Sequence, residues 1–197
     1  TGSKILENAV AGCLKHMKEG MAIFAPNINS YRRFAPGCYA PLSPSWGYEN
    51  RTTAIRIPAG DFSSLRIEHR VSGADANPYL VVATILASAL DGIKNKLEPT
   101  KAIVGDISKN SEQLPRFWEE SLNIFNDSKF ISDYLGVEFQ KNFYRCKRQE
   151  KTEFEGARQA WSYALQDAKI NLEDLSFVET HDCFTIAELI ELSLIHI

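Results

Sequence analysis

The segment LRIEHRVSGADANPYL, residues 65 to 80, constrains the fold more than any other stretch of the chain. Arg66, Glu68 and Arg70 recur at every second position, and Asn77-Pro78 then opens a long apolar run. Side chains alternate along a strand. Residues 65 to 71 in extended form therefore put the three charges on one face, roughly 7 Å apart, with Leu65, Ile67, His69 and Val71 behind. TTAIRIP, residues 52 to 58, alternates in the same way, and AGDFSS between the two is a turn signal. The two segments read as neighbouring strands that bring Arg56 beside the charged row. Asn77 then caps a helix with Pro78 in its first turn. Tyr79 to Leu97 is apolar on most sides as far as Asp91, which predicts a buried helix backing the sheet.

On either side the pattern is helical. Ile5 to Met17 places Leu6, Ala9, Val10, Cys13, Leu14 and Met17 on one face. MAIFAP, from Met21, reads as a short buried strand ended by Pro26. Residues 27 to 51, NINSYRRFAPGCYAPLSPSWGYENR, are rich in proline, aromatics and arginine, a composition that suits a functional loop better than a linker. Pro115 opens a helix to about Phe125, a short helix follows near Phe130 to Leu135, and residues 137 to 168 form a long charged helix. A strand near Ser176 to Glu179 and a last apolar helix complete the expectation. The fold class is α+β, with antiparallel strands backed by helices.

A net charge of −3 and a pI near 5.8 leave no global basic field to draw the chain to nucleic acid or membrane. Cys13, Cys38, Cys146 and Cys183 are far apart and form no metal or disulfide pattern, which suits a reducing cytoplasm. No apolar run is long enough to span a bilayer. The chain begins with Thr and reads as a piece of something longer.

Six arginines, Arg32, Arg33, Arg51, Arg56, Arg66 and Arg70, gather around the loop and hairpin with Glu68 among them. Two like charges 7 Å apart repel by roughly 2 kcal/mol at an effective dielectric of 20, so the cluster calls for anions. Guanidinium suits carboxylate and phosphate, and a lone carboxylate among such groups suits a divalent ion bridging phosphate oxygens. The alternative is a set of surface arginines paired with Glu49, Asp61 and Glu68.

NINSYRRFAPG, ENRTTAIRIP and RIEHRVSGADANPYLVVATILASALDGIKNKL together resemble the C-terminal part of the glutamine synthetase catalytic domain, from about Leu6 to about Phe154. That resemblance implies an ATP-dependent ligase acting through γ-glutamyl phosphate, with Mg²⁺ or Mn²⁺. Its substrates would be glutamate and an amine or ammonia, and the intact parent would form a homo-oligomeric ring. It implies that Arg33 holds glutamate and that Arg51 contacts the γ-phosphoryl group and glutamate, so Arg33 and Arg51 are the catalytic candidates. Arg56 would hold ATP phosphates and Arg66 would lie near the nucleotide. Glu68 would ligate the metal, and Arg70 would grip the glutamate α-carboxylate.

Three departures qualify it. Tyr39 stands where glutamine-forming members carry a flap glutamate, and a phenol is a poor base at neutral pH, which favours larger amines such as polyamines over ammonia. Glu112 replaces an adenylylated tyrosine, and Ser63 a nucleotide-contacting lysine. The other metal ligands and the N-terminal β-grasp domain precede the matched part, so the chain alone is expected to be inactive. From residue 155 to 191 the sequence resembles a sterol-carrier-type thiolase through HDCF, His181 to Phe184, and residues 192 to 197 resemble a translated sequencing adapter. Such a join suggests an assembly artefact or accidental fusion. His181 is expected to be structural or idle. A thiolase-class acyltransferase fragment and a non-catalytic anion-binding module are the other readings.

Overall fold

The computed structural model describes residues 3–35, 40–106, 112–171 and 174. The chain divides into two compact units, Thr1–Tyr144 and Arg145–Ile197. In chain order the elements are α1 (Lys4–Lys15), α2 (Met21–Phe24), a 3-10 turn (Ile28–Arg33), β1 (Trp46–Tyr48), β2 (Ile55–Ile57) and a second 3-10 turn (Phe62–Ser64). They continue with β3 (Glu68–His69), α3 (Pro78–Lys94), α4 (Trp118–Asp127), α5 (Lys129–Leu135) and α6 (Val137–Ala168).

Helix α1 is capped by the Ser3 side chain, which accepts from Leu6 N at 3.2 Å, and it buries Ala9, Val10 and Cys13. It packs on α3 with the backbones nearly touching: a Cβ on Gly12 would come within 2.7 Å of Gly92 N and 2.8 Å of Gly92 Cα. Asn77 caps α3 as expected, accepting from Tyr79 N at 3.0 Å and Leu80 N at 3.3 Å. The expectation that α3 is buried behind the sheet fails, because its main partner is α1. Tyr79 is 84% exposed and Leu86 63%, and Val82 and Leu90 are exposed with them along one stripe. An all-round apolar helix does not reveal which of its faces the rest of the unit covers.

MAIF is a helical turn rather than a strand. Its amides follow helical spacing, with Ile23 N donating to Gly20 O at 2.9 Å and Ala25 N to Met21 O at 2.8 Å. Four buried apolar residues carry no readable period. Helix α4 starts three residues after Pro115, because Leu114 N donates to Leu42 O at 2.8 Å and holds that stretch extended.

The sheet is mixed and small. β2 pairs in parallel with β1, Trp46 opposite Ile55, and antiparallel with β3, Ile55 opposite His69 and Arg56 opposite Glu68. The strands expected over 52–58 and 65–71 contract to residues 55–57 and 68–69, and β1 was not foreseen within the proline-rich stretch. The coarse form of the α+β expectation holds as a helix-rich unit with one small sheet. Ile55, Ile57 and Val71 share a core with Phe24, Leu122, Phe125 and Ile131.

A polar knot also lies within this unit. Buried His16 stacks on Phe130 at 3.8 Å, with Nδ1 2.5 Å from Glu19 Oε2 and Nε2 2.8 Å from Asp91 Oδ2. Asp91 also accepts from Lys15 Nζ at 3.1 Å, Tyr134 Oη at 3.0 Å and Asn95 Nδ2 at 2.8 Å. Burial works against the Asp91 carboxylate, yet these donors hold its pKa down at about 2. Gly136, at φ 99°, takes the left-handed turn between α5 and α6.

In the second unit α6 carries Lys147–Glu150 at 2.7 Å and Lys151–Glu155 at 3.1 Å, the solvated helix that its charge pattern predicts. The expected strand at residues 176–179, the His181–Phe184 motif with Cys183, and the last helix lie outside the described residues. Cys13 is a buried free thiol and Cys146 an exposed one. No described helix is long and apolar enough to cross a membrane.

Candidate functional site

The β2–β3 register places Arg56 and Glu68 side by side. Arg56 Nη1 donates to Glu68 Oε2 at 2.9 Å, and Nη2 donates to both oxygens of Glu49 at 3.2 and 3.0 Å. Two carboxylates thus share one guanidinium, whose pKa rises through the bonds to Glu49 first and Glu68 second. Glu49 pays with an unusual backbone: its φ is +51°, a left-handed conformation that non-glycine residues rarely adopt. The Ala59 amide also donates to Glu49, and together with Arg56 it lowers the Glu49 pKa. The pairing of Arg56 with Glu49 and Glu68, set out from sequence as the alternative, is therefore present. Asp61 takes no arginine and accepts from Ser63 and Ser64 instead.

Arg33 ends the first 3-10 turn and reaches back into the core. Its Nη2 donates to Val71 O and to Phe24 O at 3.5 Å, and its guanidinium carbon lies 4.3 Å from the centre of the Phe34 ring. Its Nε is buried without a hydrogen-bond partner. Burial lowers the Arg33 pKa, and the Asp75 charge acts in the opposite direction. The turn is built by Asn27 and Ser30, with Asn27 N donating to Ser30 Oγ at 3.0 Å.

Arg51 lies exposed on a turn shaped by Asn50. Asn50 Oδ1 accepts from Thr52 N at 2.9 Å and Thr52 Oγ1 at 2.7 Å, while Asn50 Nδ2 donates to Ile103 O at 3.1 Å. Arg70 Nη1 donates to the Arg51 carbonyl and to Thr53 O at 3.1 Å, so these two arginines are linked through backbone. Arg66 is exposed and donates to Ser64 O at 3.1 Å. It precedes the short β3, so no strand pairing holds it to the Glu68 face as the alternation predicted. Arg32 is exposed.

The structure thus gathers Arg56 with Glu68 and Arg51 with Arg70, and it ties Arg33 to Val71, the residue after Arg70. Glu49, named from sequence only as a surface partner of the arginines, is a participant in this arrangement. Its signal was an acid immediately before the Asn-Arg pair. Among the described residues no group of three or more His, Cys, Asp and Glu side chains could hold a metal ion. Glu68 is a single carboxylate already engaged by Arg56, so the described residues do not fit a complete divalent site. An open surface depression lined by Tyr163, Gln166, Asp167 and Lys169 contains none of the arginines. Glu112 accepts from Lys18 Nζ at 2.7 Å, and Tyr39 lies outside the described residues.

Comparison with known proteins bears on what this arrangement serves. Residues 1–165 match the family described as glutamine synthetase, catalytic domain. Gamma-glutamylputrescine synthetase of Escherichia coli is 42% identical over 154 residues, covering 78% of this chain and 33% of that protein. Glutamate–isopropylamine ligase of a Pseudomonas species is 40% identical over 149 residues, covering 74% and 32%. The solved structure described as a GmaS/ADP complex superposes with a TM-score of 0.69 at 29% identity, over 78% of this chain and 37% of that one. The chain spans about one third of the length of these curated relatives.

Proposed function

This chain belongs to the glutamine synthetase catalytic-domain family, and on that premise we propose that it is the anion-binding part of an ATP-dependent ligase. The ligase joins glutamate to an amine through γ-glutamyl phosphate. The observation that carries the reading is the set of arginines seated around one short β-hairpin with Glu68 opposite Arg56. In this reading Arg33 and Arg70 bind the glutamate carboxylates. Arg51, Arg56 and Arg66 bind phosphate oxygens and offset the charge that develops on the transferred group. The exposure of Arg51 and Arg66 suits an incoming anion. Among the described residues Glu68 is the one metal ligand this chain would contribute. A divalent ion would add charge neutralisation, but its remaining ligands would have to come from beyond these residues.

The acceptor is an amine larger than ammonia, because Tyr39 cannot supply the carboxylate that ammonia-using members place in the flap. Gamma-glutamyl amine ligases and glutamine synthetases both occur among the relatives, so the choice rests on Tyr39. The intact protein forms a ring in the cytoplasm, and the chain alone does not turn over. The family match runs to residue 165, so the thiolase-like piece read from sequence over residues 155–191 begins no earlier than residue 166, and residues 192–197 are an appended tail.

The test is a chimera that joins the N-terminal two thirds of the Escherichia coli relative to this chain. The reading expects phosphate release that needs glutamate and is faster with putrescine than with ammonia. A folded chimera that used ammonia equally well would refute the amine choice. Folded material with no glutamate-dependent turnover would refute the ligase assignment.

A further inference from the structure

We propose that Asp75 is the positioning residue for Arg33, the carboxylate that decides where this guanidinium stands. The inference rests on the reading of Arg33 as a substrate-binding arm and adds a residue to which that reading gives no part.

The geometry is specific. Asp75 Oδ2 accepts from Ser30 Oγ and from Asn27 Nδ2 at 3.2 Å, the two side chains that build the turn ending at Arg33. Asp75 Oδ1 points the other way, over Gly73. A Cβ on Gly73 would meet Asp75 Oδ1 at 2.5 Å, Arg33 Nε at 3.2 Å and Arg33 Cζ at 3.4 Å. The carboxylate and the guanidinium therefore flank one small space that exists because residue 73 has no side chain. The Phe24 carbonyl fixes the third side, accepting from Gly73 N at 3.0 Å as well as from Arg33 Nη2.

Arg33 commits Nη2 to backbone carbonyls, and its Nε is buried without a partner. Asp75 is the anion beside it. Oδ2 locks the turn while the carboxylate, beyond ion-pair distance, lends its charge across the space at Gly73. The Val71 and Phe24 carbonyls hold Nη2, so the arm is set before any substrate arrives. Pre-setting a rotamer-rich side chain in this way removes part of the ordering cost of binding.

A carboxylate that only closed the turn would affect Asn27 and Ser30 and leave the guanidinium alone, which separates the two roles. The experiment is nitrogen-15 NMR of arginine Nε–H groups in the 197-residue chain, with Arg33→Lys used to assign the Arg33 signal. Asp75→Ala should shift that signal and speed its hydrogen exchange about tenfold, the scale of losing one nearby but uncontacted charge. Asp75→Asn, which keeps a side-chain oxygen and loses the charge, should give a smaller change in the same direction. Gly73→Ala should move the signal without touching either charge. An unchanged Arg33 signal in folded Asp75→Ala overturns the proposal, and if that variant does not fold, an unchanged signal in Asp75→Asn does. The readout needs no ligand. If Arg33 responds to Asp75 but not to added glutamate, only the functional reading fails.

Discussion

Arg56 stands directly opposite Glu68 in the β2–β3 ladder, and its Nη1 donates to Glu68 Oε2 at 2.9 Å. Glu49 holds the other end of the same guanidinium. A phosphate approaching Arg56 must therefore compete with two carboxylates, and removing one should help it. In metal-free buffer Glu68→Gln should bind ADP about threefold to tenfold more tightly than the parent chain, by calorimetry. Unchanged affinity would mean that Arg56 does not meet the phosphates.

His69 gives the pH dependence its shape near neutrality. Its ring lies 4.6 Å from Phe24 with Nδ1 buried and unpartnered, and burial lowers its pKa to about 4. The folded state thus holds His69 neutral while the unfolded chain takes up a proton near pH 6.5. Stability is full above about pH 6.5 and falls as the pH drops from there to about 4, by an amount on the order of 3 kcal/mol. Urea unfolding across this window should show the loss in the parent and a flat profile in His69→Leu.

Asp91 produces a second, separate acid limb. Its pKa of about 2 lies below that of an unfolded aspartate near 3.9. The stabilisation it provides is present above pH 4 and fades as the pH falls toward 2, by about 2 kcal/mol. Asp91→Asn should abolish this limb while leaving the His69 limb in place, as read by thermal unfolding at stepped pH.

Two glycine substitutions in helices should have opposite signs. Gly12→Ala sets a methyl against the backbone of α3 and should cost about 2 kcal/mol despite the better helix propensity of alanine. Gly156→Ala in α6 meets nothing within 4 Å and should gain about 0.5–1 kcal/mol. Equilibrium unfolding of both variants checks the pair.

Helices with a clear cap or charge pattern were legible from the sequence. Asn77 at the start of α3 and the span of α6 both follow from local chemistry. The MAIF turn was not, because four apolar residues fit either period. The α3 face was misread for a different reason: apolarity records that a surface will be covered, without recording by what. In the site, alternation correctly placed Arg56 beside Glu68, since pairing across a hairpin preserves that relation. It does not carry to Arg66, because the ladder ends before reaching that residue. Glu49 was placed only among surface partners of the arginines, because its seat beside Arg56 depends on a left-handed φ that no spacing rule encodes.

The central claim is that these arginines receive glutamate and a nucleotide's phosphates. Arginine side-chain NMR of the 197-residue chain, titrated first with ADP and then with glutamate, tests it most directly. The account predicts that ADP shifts the signals of Arg51, Arg56 and Arg66 and that glutamate shifts those of Arg33 and Arg70. Signals that stay in place for all five, or that move equally with an unrelated anion such as sulfate, would contradict it.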